Sequence, residues 1–476
     1  MDLVHHVIGG EQVESRAGGR FDSVNPWTRE VWAEVALGTT DDARRAVDAA
    51  RAAFDDGPWP RMGYAQRGAL LHRLADMIDA HGDELARADT RDMGKPISVM
   101  RAKDVPRAAQ NVRFFADHAR MRAGEAMPMD SGHHAYVRYE PAGVVAAIAP
   151  WNFPLMLESW KIAPALAWGN TVVLKPAEDA PASATLLAQL ALDAGLPPGV
   201  LNVVHGFGAD AVGEALTTSP GVDRITFTGE SATGRAIGRA AAANLTPCSF
   251  ELGGKGANVV FADADLDAAV SWSNRAIFTN SGQVCLAGSR LFVQRPVYDE
   301  FVARFVDSAE ALRLGDPMAE GTQLGPLASE THFTKVSGYL DTVAEDGGKI
   351  LTGGVGGGWA VRPTVIVDAP TTARVHCEEV FGPVVTVTPF ETEDDAVALA
   401  NDTRYGLNAM LFSENVHRAH RVAARLRAGT VWVNCFFVRD LRAPFGGVGD
   451  SGIGREGGDH SREFMTEPKA VVMEIH

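Results

Sequence analysis

Between Thr171 and Ala243 the chain reads TVVLKPAEDAPASATLLAQLALDAGLPPGVLNVVHGFGADAVGEALTTSPGVDRITFTGESATGRAIGRAAAA. Three short apolar or β-branched runs, TVVL (Thr171 to Leu174), LNVV and RITF (Arg224 to Phe227), alternate with helical spacing over Ala182 to Ala194, Ala209 to Leu216 and Ala232 to Ala243. Such alternation predicts a parallel sheet covered by helices. A second set of the same kind follows Glu251: a helix over Leu266 to Phe278, the strand RLFVQ, a helix over Val297 to Leu312, and the strands VVTVTPF and TVWVN. It predicts a second α/β domain. Upstream, Ala43, Val47, Ala50 and Phe54 recur at helical spacing within Asp41 to Phe54, with acids in the first turn, and Leu70, Leu71, Leu74 and Ile78 form another stripe. The first third therefore reads as helical after a short polar start. At YVRYEPAGVVAAIAP (Tyr136 to Pro150) the pattern turns β-rich, with Pro141, Ala142 and Gly143 as a turn between two strands. The glycine-rich GGVGGGW (Gly353 to Trp359) reads as a surface turn.

At 476 residues and 50.7 kDa the chain exceeds the ~250–300 residues at which one core stops growing, so two or three packed units are expected. A hydrophobic share of 46% against 22% charged residues is that of an ordinary globular protein, which excludes disordered and fibrous classes. The formal net charge of -16 repels phosphate backbones and anionic membranes, so neither nucleic acid nor a membrane is expected as a partner. An anionic small molecule has to be met by locally placed Arg or Lys side chains. The four cysteines, Cys248, Cys285, Cys377 and Cys435, form no C-x-x-C pair, which argues against a disulfide framework and a zinc site. No basic-then-apolar leader opens MDLVHHVIGG, and no apolar run approaches ~18 residues, so a cytoplasmic protein is expected. His5-His6 and His133-His134 have no carboxylate or cysteine at ligand spacing, and no metal is expected. Serine-hydrolase and zinc-protease readings fall away because neither G-x-S-x-G nor H-E-x-x-H occurs.

Three features carry chemistry. Cys285 stands in NSGQVCLAGSR, flanked by small and polar residues where chain and ligand can approach closely. Glu251 ends a short apolar stretch in ELGGKGAN and precedes Gly253-Gly254, which permits a tight turn. Asn152 lies in PWNFP, where two prolines stiffen the segment and make its amide a candidate fixed donor. Taken singly, each also has a plain reading: a buried hydrophobe, a solvated acid and a turn residue.

Taken in order, PWNFP, KPAE, FTGE, ELGGK, GQVC, EEVFGPV and PFGG…SGIGRE resemble the motif series of the aldehyde dehydrogenase superfamily across essentially the whole chain. The resemblance implies that a thiolate at Cys285 attacks an aldehyde carbon, with the Asn152 amide and the Cys285 backbone N–H holding the oxyanion. Hydride then leaves for a nicotinamide, and water activated by Glu251 hydrolyses the thioester. Relatives that form acyl-CoA lack this glutamate, so free acid is the implied product. Glu456 in GREGG resembles a second carboxylate that relays protons. The implied cofactor is NAD: Lys175 and Glu178 of KPAE follow a strand where open sheets bind ligands, and Glu178 repels a 2′-phosphate. Trp151, Gly229, Gly234, Glu379 and Phe381 complete the cofactor residues by the same resemblance. Glu230 replaces the serine common in the superfamily, an awkward charge beside phosphate.

The VPR segment, FTGE and VRDLR further resemble the subgroup that oxidises 2-hydroxymuconate or 2-aminomuconate semialdehydes. That resemblance implies a carboxylated substrate anchored by Arg107 and Arg439 and walled by Phe436 and Phe437. The alternatives are broad oxidation of neutral aldehydes and a non-catalytic protein on the same fold. The implied α/β fold has an NAD-binding parallel-sheet domain (1–120 and 139–250, with a return over 445–465) and a catalytic α/β domain (251–444). A small β oligomerisation element (121–138 and 466–476) completes it and implies a homodimer or homotetramer.

Overall fold

The computed structural model describes residues 2–475; the outermost residues of the expected spans, Met1 and His476, lie outside the described residues. The alternating stretch forms the centre of an eight-stranded sheet. Its spatial order is Gly452–Ile453, Cys248–Glu251, Arg224–Thr228, Val144–Ile148, Thr171–Lys175, Leu201–Val203, His6–Ile8 and Glu11–Val13. The five strands from Cys248–Glu251 to Leu201–Val203 run parallel, and those flanking them are antiparallel. Val144–Ile148 and Thr171–Lys175 are buried along their whole length, as strands covered on both faces must be. Chain order reverses at Val144–Ile148: the next strand, Thr171–Lys175, pairs on one side and Arg224–Thr228 on the other. Such a reversal opens a crevice beyond the carboxyl ends of the strands. The segments that leave those two ends are PWNFP and Gly229-Glu230.

The second set of strands forms a seven-stranded sheet in the order Lys349–Val355, Val361–Val367, Val384–Phe390, Arg290–Gln294, Ala257–Val260, Asn408–Phe412 and Thr430–Val433. Every neighbouring pair is parallel except the first. The helix Leu266–Phe278 and the strand Arg290–Gln294 fall where the pattern puts them. Against the first sheet pack three helices, Tyr64–Ala80, Val105–Met121 and Pro154–Ala167, which share a core of Leu71, Leu74, Val112, Phe115, Leu155 and Ile162. Burying each such side chain contributes ~1.5–3 kcal/mol, so the relative placement of these helices is firmly set. That placement matters because two of them carry residues of the site.

Three expectations need adjustment. The start of the chain is not merely polar coil before helices: Asp2–Val4, Val31–Ala36 and Arg20–Val24 form a small sheet, and His6–Ile8 and Glu11–Val13 extend the large one. Asp2–Val4, His6–Ile8 and Glu11–Val13, at three residues each, are too short to show a period of two. Within GGVGGGW, residues Gly353 to Val355 belong to the strand Lys349–Val355, which pairs with Val361–Val367, so the turn is confined to Gly356–Ala360. The strand His133–Pro141 pairs along its full length with the tail strand Thr466–Glu474 and runs past residue 138, with Glu125–Pro128 on its other side. No helix among the described residues is long and apolar enough to cross a membrane.

Candidate active site

Cys285 is presented by a constrained loop. Asn280, Ser281 and Gly282 have φ of 52°, 53° and 73°, three successive left-handed residues of which two are not glycine. Each non-glycine residue in that region costs ~1–2 kcal/mol, so the surroundings must over-determine the loop. They do: Asn280 Nδ2 donates to Asn152 O (2.8 Å), Ser281 Oγ to Gly325 O (2.8 Å), and Gln283 Nε2 to Asn280 O (3.1 Å). A Cβ at Gly282 would overlap the Gly382 carbonyl, and one at Gly254 would overlap the Cys285 carbonyl. The tight turn after Glu251 therefore exists to admit the cysteine backbone.

Asn152, four residues beyond the strand Val144–Ile148, interlocks with this turn. Its Nδ2 donates to Gln283 O at 2.9 Å, which fixes the amide and leaves its second N–H unspent. Asn152 and Cys285 line one cavity of ≈ 180 Å³ together with Trp151, Gly229, Glu379 and Phe381. Burial pushes the Cys285 thiol up to about 12; Glu379 and Glu251 add to this, and Arg439 opposes it. Glu379 accepts from Gly254 N at 2.8 Å, and burial raises its carboxyl to about 7. The Trp151 ring stands edge-on to Phe381 at 5.4 Å, and Phe381 itself has a φ of 60°.

Glu251 ends the strand Cys248–Glu251 with both carboxyl oxygens buried and without a hydrogen-bond partner. Burial and the nearby Glu456 charge hold its pKa well above the usual carboxylate range, against Lys161, Arg439 and Arg455. Glu456 is instead fully engaged: Trp160 Nε1 donates to it at 2.6 Å, and Lys161 Nζ and Thr226 Oγ1 each at 3.2 Å. An unpartnered carboxyl is free to take up a proton, whereas the Glu456 carboxylate is held in place by three donors.

A second cavity, ≈ 520 Å³, is lined by Phe153, Trp160, Phe436 and Phe437, with Arg107 and Arg439 among its polar walls. Cys285 belongs to the same apolar cluster as Phe153, Phe436 and Phe437, which line this cavity. The cavity wall carries Lys95, Lys103, Arg107, Arg275 and Arg439 against a single acid, Asp104, which pairs with Lys95. In a chain of net charge -16 this is a local inversion of sign. Arg439 is held between the rings of Trp160 (4.3 Å) and Phe445 (3.8 Å), and its Nε and Nη2 are buried without a partner. Burial and the Arg107 charge push its pKa down to about 10, so it stays a cation at neutral pH. Arg107 Nε donates to Asn111 Oδ1 at 3.0 Å, and neither arginine belongs to an ion pair among the described residues.

Lys175, Glu178 and Gly234 lie outside these two cavities. Lys175 Nζ donates to the Pro176 carbonyl at 2.8 Å and reaches Glu178 at 3.5 Å, at the end of Thr171–Lys175. Gly234 sits inside the helix Ser231–Ala242, where a Cβ would meet Leu252 Cδ2 at 2.7 Å, so its smallness serves helix packing. Glu230 pairs with Lys335 at 2.6 Å, which neutralises the charge that looked misplaced. Sequence reasoning missed Trp160, Lys161, Asn111 and Lys335. Of these only Asn111 left a trace, four residues after Arg107 on a helix. No group of three or more His, Cys, Asp or Glu able to hold a metal occurs among the described residues.

Comparison with known proteins places these features in context. Residues 13–471 match the model of the aldehyde dehydrogenase family. The chain is 48% identical to a 2-hydroxymuconic semialdehyde dehydrogenase of Pseudomonas sp. (strain CF600), with 100% of both chains covered. It is 44% identical to a 2-aminomuconic 6-semialdehyde dehydrogenase of Pseudomonas sp., covering 100% of this chain and 99% of that one. Among solved structures, betaine aldehyde dehydrogenase from Staphylococcus aureus in complex with NAD+ superposes with a TM-score of 0.96 at 39% identity, covering 99% of this chain and 95% of that one.

Proposed function

The chain belongs to the aldehyde dehydrogenase family, and from that membership we propose that it oxidises a carboxylated semialdehyde, of the 2-hydroxymuconate kind, to the dicarboxylic acid with NAD. The observation that carries the substrate class is Arg439: its Nε and Nη2 form one edge of the guanidinium fork, buried, charged and unpartnered. That edge matches a carboxylate in two parallel hydrogen bonds, and leaving it unmet in a neutral substrate's complex would be costly. Phe436 and Phe437, with ring centroids 5.7 Å apart, flank a conjugated chain between the arginines and the thiol.

The crevice at the strand reversal fits a dinucleotide. Gly229 leads into the helix Ser231–Ala242, whose N-cap residue makes no side-chain cap bond, so its first-turn N–H groups are available to a pyrophosphate. Trp151 and Phe381 give flat walls, Glu379 an acceptor for a ribose hydroxyl, and Glu178 a charge that disfavours a 2′-phosphate. NAD, when bound, supplies the hydride acceptor.

Cys285 forms the bond to the aldehyde carbon once its proton has left, and the second Asn152 N–H with the Cys285 backbone N–H holds the oxyanion. Loss of hydride from that carbon leaves a thioester on Cys285. Glu251 takes a proton from water, the hydroxyl adds to the thioester carbon, and the C–S bond breaks to release the acid and restore the thiol. Glu456, anchored by Trp160, Lys161 and Thr226, acts on this step through its charge, which keeps Glu251 basic. The exposed outer edge of Thr466–Glu474 suits pairing with another copy, so a homodimer or homotetramer completes the reading, in the cytoplasm, where four free cysteines stay reduced. The test is a panel of acidic semialdehydes and neutral aldehydes with NAD and NADP. The expected result is the highest kcat/KM for a muconate-type semialdehyde with NAD; benzaldehyde outperforming every acidic substrate would refute it.

A further inference from the structure

Arg107 and Arg439 face one cavity, and a long flexible cation held near a like charge needs a restraint. Among the described residues, Asn111 supplies the one protein hydrogen bond that Arg107 makes, one helical turn away on Val105–Met121. Its orientation is settled by its other end. Asn111 is buried, and Nδ2 donates to both Met156 O (3.1 Å) and Ser159 Oγ (3.1 Å) on the packed helix Pro154–Ala167. With the amide hydrogens spent there, only Oδ1 can face Arg107; the flipped amide would set donor against donor and acceptor against acceptor.

We infer that Asn111 is a positioning residue that sets selectivity for a carboxylated substrate by fixing Arg107 without neutralising it. The inference rests on the reading of Arg107 as a carboxylate anchor. Holding Nε fixes the plane of the guanidinium and leaves both terminal nitrogens for the substrate, so less rotamer freedom remains to be lost on binding. The neutrality of the acceptor is the second half of the device. An acid at position 111 would orient the same nitrogen but pair with it in the buried wall, and the substrate carboxylate would compete with a permanent partner.

Two variants separate position from charge. Asn111→Leu removes the acceptor without adding charge, and Asn111→Asp keeps the shape and adds charge. Both are measured for kcat/KM with 2-hydroxymuconate semialdehyde and with benzaldehyde, alone and combined with Arg107→Ala. The expected result is an acidic-to-neutral ratio that falls by roughly tenfold or more in each, chiefly through KM, with benzaldehyde kinetics unchanged and no further fall in the Arg107→Ala background. Unchanged benzaldehyde turnover also certifies the fold; should Asn111→Leu lose it, Asn111→Asp decides. If Arg107→Ala collapses the ratio while both Asn111 variants keep it, this inference alone is overturned. If Arg107→Ala leaves the ratio intact, the anchoring reading falls and takes this one with it.

Discussion

Burial beside like charge raises both the Cys285 thiol and the Glu251 carboxyl, and Arg439 opposes the shift of each. A thiol pushed up to about 12 has to lose its proton before it attacks, and a carboxyl raised above its usual range is, once ionised, the stronger base toward water. The sign of the pH dependence follows. Below the raised pKa of Glu251 the carboxyl is protonated and cannot accept a proton from water, so thioester hydrolysis slows as pH falls through that value and recovers above it. Stopped-flow kinetics should show Glu251→Gln giving a rapid burst of NADH near one per site and then stalling. Cys285→Ala should give no burst while still binding NAD. Normal turnover by Glu251→Gln would move water activation elsewhere, with Glu456 the first suspect despite its three donors.

The elements that matter most for the chemistry are loops clamped between rigid neighbours. The turn Asn280–Gly282 exists only because Asn152, Gly325 and Gln283 hold it, and Gly282 is its tightest point. Gly282→Ala places a methyl group against the Gly382 carbonyl at a φ that alanine resists. Cys285 should then shift by enough to cost on the order of 100-fold in kcat, with a lowered thermal midpoint and NAD affinity little changed. Wild-type kcat in that variant would contradict the clamped-loop account. This is also where legibility in the sequence divides. The alternation after Thr171 announced its sheet because each run and each helical stripe is long enough to carry a period, and PWNFP, ELGGK and GQVC announced the site because their order is informative. Asn280 and Ser281 gave no such signal, since left-handed backbone in non-glycine residues is imposed from outside. Glu230 looked misplaced because its partner, Lys335, lies over a hundred positions away and on another element. The three-residue strands Asp2–Val4, His6–Ile8 and Glu11–Val13 escaped notice for want of length.

At the scale of the molecule, the central fact is a chain of net negative charge enclosing a cavity whose wall is net positive. A formal charge of -16 keeps anions at a distance, and Screening by salt confines that repulsion to ~8–10 Å. Inside the cavity the balance reverses, with Arg439 desolvated and unpaired between Trp160 and Phe445. Such a cation is expensive to maintain, and the account holds that a substrate carboxylate is what offsets it. A hydrogen bond to a charged group contributes ~1.5–3 kcal/mol, which corresponds to roughly 10–150-fold in rate. The most direct measurement is therefore kcat/KM of wild type and Arg439→Ala on 2-hydroxymuconate semialdehyde and on benzaldehyde, under one buffer and saturating NAD. The account predicts a loss of roughly 10–150-fold for the acidic substrate with little change for the neutral one, and equal losses on both would contradict it.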